Sequence, residues 1–221
     1  MLPSPTGVVQ AFWKDFPLLM HHAGSTLAEA ALGLGIGIVL GFVMATMMER
    51  YEFLHRALYP VLVVTQTVPT VAIAPLLVLW MGYGIAPKIA LIVIATFFPI
   101  AVALLDGFAA ADPDAIQLMR AMGATHGQIF RHIKLPCALS SFFAGLRISV
   151  SYSIVGAVIA EWLGGFQGLG VYMTRVKKSY AYDRMFAVIF LISAISLLLM
   201  YGVKLLQRRM MPWVELEKKR Q

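Results

Sequence analysis

The chain is short of charge, short of cysteine, and lacks the motifs that hold nucleotides or activate a nucleophile. Only 13% of its 221 residues are charged, against 60% apolar, and mean hydropathy is +0.79. That balance leaves no room for a catalytic domain of ordinary size and belongs to a membrane protein with little mass outside the bilayer. A single cysteine, Cys137, excludes an internal disulfide and any multi-cysteine metal site. No G-x-x-x-x-G-K-[ST], H-E-x-x-H or G-x-S-x-G occurs, so neither a nucleotide site of its own nor a familiar hydrolytic centre is expected. The net charge of +7 sits in short loops and at the C-terminus, with no basic extramembrane domain to bind nucleic acid. No basic segment precedes the first apolar run, so a cleaved signal peptide is not expected.

What is present is a series of about five apolar runs, each about 20 residues long, the length a bilayer requires. Residues 8–23 mix aromatics with Lys14, Asp15 and Pro17 and read as an interfacial segment; His21 and His22 point to different sides of a helix and read as surface. The first span is expected at 27–48, opened by a Thr26–Glu29 capping box and carrying Gly33, Gly37 and Gly41 as a strip for close helix packing. The second, 59–81, holds Thr65, Gln66, Thr67 and Thr70 beside Pro69 and Pro75. Such polarity in a span either joins helices or lines a water-filled path, and broken polar helices recur in transport sites. An aromatic turn, 80–84, leads to the third span, 87–108, with a kink expected at Pro99. The fourth, 141–163, carries Arg147 and Glu161; 164–184 reads as a surface loop with a short amphipathic helix, and the fifth span is 185–206.

Between the third and fourth runs lies a polar, basic island, residues 112–136. Asp112 can cap a helix whose first turn holds Pro113, and Gly123 can take the φ > 0 geometry that ends it. Thr125 with Gln128 forms a capping box for a second short helix, which Leu135–Pro136 is expected to stop. Ile116, Met119, Met122, Ile129 and Ile133 give the hairpin an apolar face, while Arg120, His126, Arg131, His132 and Lys134 supply positive charge. With the island inside, twelve of the eighteen Lys and Arg lie on the cytoplasmic side, which favours an outer N-terminus and a cytoplasmic C-terminus. Arg175, Lys177, Lys178 and Arg184 run against that trend.

The island's second half, GATHGQIFRHIKLP, resembles the cytoplasmic coupling loop of binding-protein-dependent ABC importer permeases, with Gly123, Ile133, Leu135 and Pro136 at the family's spacing. The acidic-Ala-Ala portion of that motif is replaced by Gln117, Leu118 and Met119. AGLRIS (144–149) is also similar to the family; TVPTVAIAPLLVLWMGYG (67–84), FFPIAVALLDG (97–107) and AEWLGGFQGLG (160–170) resemble its nitrate/sulfonate/taurine branch, and the combination of TQTVPTVAIAPLLVLW, AVIAEWLGG and VYMTRVKKSY is similar to permeases for hydroxymethylpyrimidine precursors of thiamine. The resemblance implies an all-α integral membrane fold of the type I (MetI-like) importer permease class. It also implies a homodimeric pore, two copies of a separate ABC ATPase that binds ATP-Mg, and an extracytoplasmic substrate-binding protein. This chain would bind no cofactor and be no enzyme.

The expected division is an N-terminal segment 1–26, one permease domain 27–207 containing the loop 112–136, and a basic cytoplasmic tail 208–221. On the resemblance, the ATPase-coupling residues are Met119, Arg120, Gly123, Ala124, Thr125, Gln128, Ile129, Phe130, Ile133, Leu135 and Pro136. For the translocation path the candidates are Gln66, Thr67, Thr70, Trp80, Tyr83, Tyr152, Glu161 and Trp162, since a planar pyrimidine needs an aromatic face and a few hydrogen bonds. The expected substrate is a small pyrimidine; the alternatives are sulfonates, taurine or nitrate-like compounds and, more remotely, an ATP-independent secondary transporter.

Overall fold

Ser4 and Pro5 open the first helix: the serine hydroxyl accepts the Gly7 N–H at 3.1 Å, and proline in the first turn gives up no bond. The computed structural model describes residues 3–212, and every regular element there is helical. In order these are α1 (Pro5–Lys14), α2 (Phe16–Arg50), α3 (Glu52–Thr65), α4 (Thr70–Met81), α5 (Ile85–Ala109), α6 (Pro113–Ala121) and α7 (His126–Ile129). A π-helical turn (Phe130–Lys134) then leads into α8 (Leu135–Gly164), followed by α9 (Leu169–Lys178) and α10 (Tyr182–Met210). Helices α2, α5, α8 and α10 are long and apolar enough to cross a membrane, and the bent pair α3–α4 meets the same criterion taken together, which gives four spans or five. The tail expected at 208–221 lies, past Pro212, outside the described residues.

α5 lies between α2 and α8 and packs extensively on both. Lipid tails are as apolar as leucine side chains, so helices in a bilayer hold together by close contact rather than by escape from water. Both seams of α5 are accordingly built on glycine. A Cβ on Gly33 would lie 2.5 Å from Ile92, one on Gly41 2.9 Å from the Phe97 carbonyl, and one on Gly37 would strike the Thr96 hydroxyl. On the other side, a Cβ on Gly145 would lie 2.7 Å from Ala103 and one on Gly107 2.6 Å from Ala138. The strip expected at Gly33, Gly37 and Gly41 is therefore the α2–α5 contact.

Three expectations are corrected. The helix that carries the first span begins at Phe16, well before the cap expected at Thr26, because Pro17 opens the helix and no breaker follows it. Thr26 and Glu29 thus lie inside α2 and cap nothing there; their side chains are buried against other helices. His22 is likewise buried, not a surface residue, while its neighbour His21 is exposed. Finally, Leu135–Pro136 does not stop the island's second helix: α7, the π turn and α8 run as one rod from His126 to Gly164. The Leu135 N–H reaches back to the Phe130 carbonyl, and this wider turn relieves the clash a proline ring makes with the carbonyl four residues earlier.

The second span breaks where its prolines demand. Pro69 lacks an N–H and disfavours helix at Val68, and α3 and α4 meet there at 98°. The Thr65 and Thr67 hydroxyls donate to the Leu62 and Val64 carbonyls, each at 2.7 Å, which closes the end of α3.

The α2–α5 seam gives a direct test. Gly33→Leu should destabilise the detergent-solubilised protein by about 1–3 kcal/mol through overpacking. Gly35→Leu, on the open side of α2 with nothing within 4 Å, should leave the thermal midpoint nearly unchanged.

Candidate functional site

The break in the second span opens a cavity of about 320 Å³ between α4, α5 and α8. Gln66, Thr70 and Tyr152 bring polar groups to it, and Ile73, Ile94, Val155 and Ile159 supply apolar walls. The Thr65 hydroxyl also borders it but is spent on the Leu62 carbonyl. Among the described residues the Gln66 carboxamide and the Thr70 and Tyr152 hydroxyls have no side-chain hydrogen-bond partner, and no charged side chain lines the space. The cavity therefore offers both donors and acceptors without net charge, which suits a small, neutral, polar molecule.

The other path candidates lie elsewhere. Thr67 is exposed and bonded to its own helix. Trp80 (75% exposed), Tyr83 (77%) and Trp162 (45%) are outside the cavity lining, at the end of the bundle opposite the island, where a Cβ on Gly164 would meet the Tyr83 ring at 2.8 Å.

Glu161 is also outside the lining, only 2% exposed, and its partners define a second polar centre. Its Oε1 accepts from the Thr26 hydroxyl at 2.7 Å and its Oε2 from the Gly170 N–H at 2.6 Å. Thr26 Oγ1 in turn accepts the Leu169 N–H at 2.8 Å, and His22 Nδ1 accepts the Gly168 N–H at 3.0 Å. The free N–H groups that open α9 are thus satisfied by side chains of α2 and α8, with a carboxylate at the positive helix end. Gly168, at φ +123, has to be glycine, since a Cβ there would collide with the Glu161 carboxyl. Beside this cap, Lys88 Nζ meets Glu29 Oε1 at 2.5 Å, with both side chains over nine-tenths buried. The linear pattern singles out neither Lys88 nor His22 for this centre and gives Thr26 only a capping role. The usable signal was one lysine and two glutamates inside apolar windows, together with Gly168-Leu169-Gly170 following the second glutamate.

At the opposite end the island is built as its caps dictate. Asp112 Oδ1 accepts the Asp114 N–H at 2.9 Å, Gly123 sits at φ +82, and Gln128 Oε1 accepts the Thr125 N–H at 2.7 Å. One half is anchored: Ile129 is buried, the Phe130 ring lies tilted against Phe108 with centroids 5.2 Å apart, Leu135 packs on the same core, and Ile133 is half-buried. Lys134 pairs with Glu49, tying the π turn to the end of α2. The other half faces outward: Arg120, Gly123, Thr125 and Gln128 are exposed, as are Leu118 (63%) and Met122 (76%), while Met119 and Ala124 are half-buried. Pro136 is exposed as well. Met122 accordingly lies off the packed face on which the sequence had grouped it.

Residues 37–212 match the family described as the inner membrane component of binding-protein-dependent transport systems. The chain belongs to that family. The formylaminopyrimidine transport permease ThiX of Halalkalibacterium halodurans is 39% identical over 96% of this chain and 86% of its own length. The taurine permease TauC of Escherichia coli is 31% identical over 88% of this chain and 71% of its own. Among solved structures, an inward-facing form of the methionine ABC transporter MetNI superposes with a TM-score of 0.76 at 20% identity, covering 89% of this chain and 97% of that one. The protein is thus a multi-pass ABC importer permease of the inner membrane, a transport component and not an enzyme.

The buried pair in this permease predicts an asymmetry. Lys88→Met should lower stability by about 3–5 kcal/mol, because it strands the Glu29 carboxylate. Glu29→Gln combined with Lys88→Met should recover most of that loss in thermal unfolding of the purified permease.

Proposed function

We propose that the permease works as a homodimer that carries a neutral aminopyrimidine, a thiamine precursor, through the cavity at the second-span break. Gln66, Thr70 and Tyr152 make the contacts. The observation that carries this is the lining itself: unpaired uncharged donors and acceptors, with no cation among them. Taurine and sulfonates are the second reading, favoured by the taurine relative. A sulfonate would enter a site with no positive group to replace its lost water, at a cost of several kcal/mol. The likeness to the formylaminopyrimidine permease supports the pyrimidine.

In this reading a separate ATPase dimer binds ATP-Mg and docks on the outward half of the island, at Arg120, Gly123, Thr125 and Gln128. An extracytoplasmic binding protein delivers substrate at the other end. Force enters at α6–α7 and passes along the rod from His126 to Gly164, which carries Tyr152 to the cavity. The Glu49–Lys134 pair moves α2 with it. An outer N-terminus and a cytoplasmic C-terminus fit the twelve-to-six split of cations.

Two measurements on the reconstituted complex test this. Gln66→Leu should slow ATP-driven uptake of labelled formylaminopyrimidine about tenfold, the worth of one or two hydrogen bonds. Wild-type uptake by that variant, or equal uptake of taurine, would contradict the assignment. Gly123→Val meets no neighbour within 4 Å but forces a branched side chain to φ +82. It should lower the ratio of substrate moved to ATP hydrolysed while the complex still assembles.

A further inference from the structure

The outer basic cluster runs against the charge rule that orients the rest of the chain, and the structure shows what it is attached to. α9 ends in a Schellman turn: the Ala181 N–H bonds the Val176 carbonyl at 3.0 Å and the Tyr180 N–H bonds the Lys177 carbonyl at 3.1 Å. The left-handed position of this turn normally takes glycine. Here Tyr180 occupies it at φ 57, and it is the one non-glycine residue with positive φ among those described. Its ring contributes nothing to the core, being 76% exposed, with Tyr182 edge-on to it at 6.4 Å. Lys177 and Lys178 are exposed in the turn just before, and neither has an ion pair or side-chain hydrogen bond among the described residues. Other charges nearby are engaged: Arg175 donates to the Phe166 carbonyl, Arg184 pairs with Asp15, and the Asp183 carboxylate lies beside Gly7 of α1.

A strained backbone that presents an exposed tyrosine marks a place for a binding role, since tyrosine is enriched at protein-binding hot spots, and the free lysines beside it supply long-range attraction for an acidic partner. An interfacial belt accepts tyrosine and lysine at many positions and needs no left-handed residue to hold them. We propose that Lys177, Lys178, Tyr180 and Tyr182 form a docking surface for an acidic patch on the extracytoplasmic binding protein. This goes beyond the importer reading above and depends on it.

The surface is tested by titrating substrate-loaded binding protein against the ATP hydrolysis of the reconstituted complex, at low and high salt. Lys177→Glu with Lys178→Glu should raise the half-saturating concentration about tenfold and flatten its salt dependence. Tyr180→Gly suits the turn better than tyrosine does, so the variant folds, and it should also raise the half-saturating concentration. Half-saturation unchanged in both variants, with a responsive wild type, would overturn the surface alone. Unchanged half-saturation together with lost binding to phosphatidylglycerol vesicles would assign the corner to lipid and overturn it equally. A wild-type complex that ignores the binding protein altogether would overturn the importer reading and this surface with it.

Discussion

Close approach of α5 to its two neighbours is the contact on which the rest of this bundle depends. Inside a bilayer no water drives helices together, so packing distance decides which helices associate. Gly33, Gly37 and Gly41 bring α2 onto α5 along Ile92, Thr96 and Phe97, and Gly107 and Gly145 bring α8 onto its other side. Polar side chains then have fixed partners. The Ser149 hydroxyl donates to the Thr96 carbonyl at 2.8 Å across the α5–α8 seam, and Lys88 reaches Glu29 across the α2–α5 seam. Without these seams the charged pair would face lipid and the α9 cap would lose its acceptors.

With the seams closed, α8 becomes the element that joins every functional region. Its π turn continues the island, Tyr152 borders the cavity, and Glu161 near its end holds the start of α9. From α9 itself, Tyr172 donates to Asp15 at 2.6 Å; burial and then that carboxylate hold its hydroxyl protonated well above the ordinary phenol range. The island is thus connected covalently to the cavity lining and, through hydrogen bonds, to α9. The regular α-helical geometry is interrupted at the break around Gln66 and at the π turn around Phe130.

Local chemistry is what the sequence displayed well. The caps at Asp112, Gly123 and Thr125–Gln128 depend on residues no more than three apart, and all form as expected. The break at Pro69 follows from proline alone, and the Gly33-Gly37-Gly41 strip from its spacing. Errors arose where a distant partner decides. Thr26–Glu29 has the letters of a capping box, yet the acceptor for the Thr26 hydroxyl is Glu161, 135 residues away. Pro136 has the look of a stop, but the Phe130–Phe108 contact and the Lys134–Glu49 pair hold the chain helical through a widened turn. Of the path candidates, nothing in the linear pattern separated Gln66, Thr70 and Tyr152, which meet at one cavity, from Trp80, Tyr83 and Trp162, which do not.

The central claim is that nucleotide bound by a separate ATPase moves the cavity through the island and α8. It is tested most directly by spin-labelling position 152 in both copies of the assembled complex, after replacing the exposed Cys137. The distance between the labels is then measured without nucleotide and with ATP trapped by vanadate. The account predicts a shift between two distinct distance distributions that Gly123→Val suppresses. A distribution unchanged by nucleotide, in a complex that still hydrolyses ATP, would contradict it.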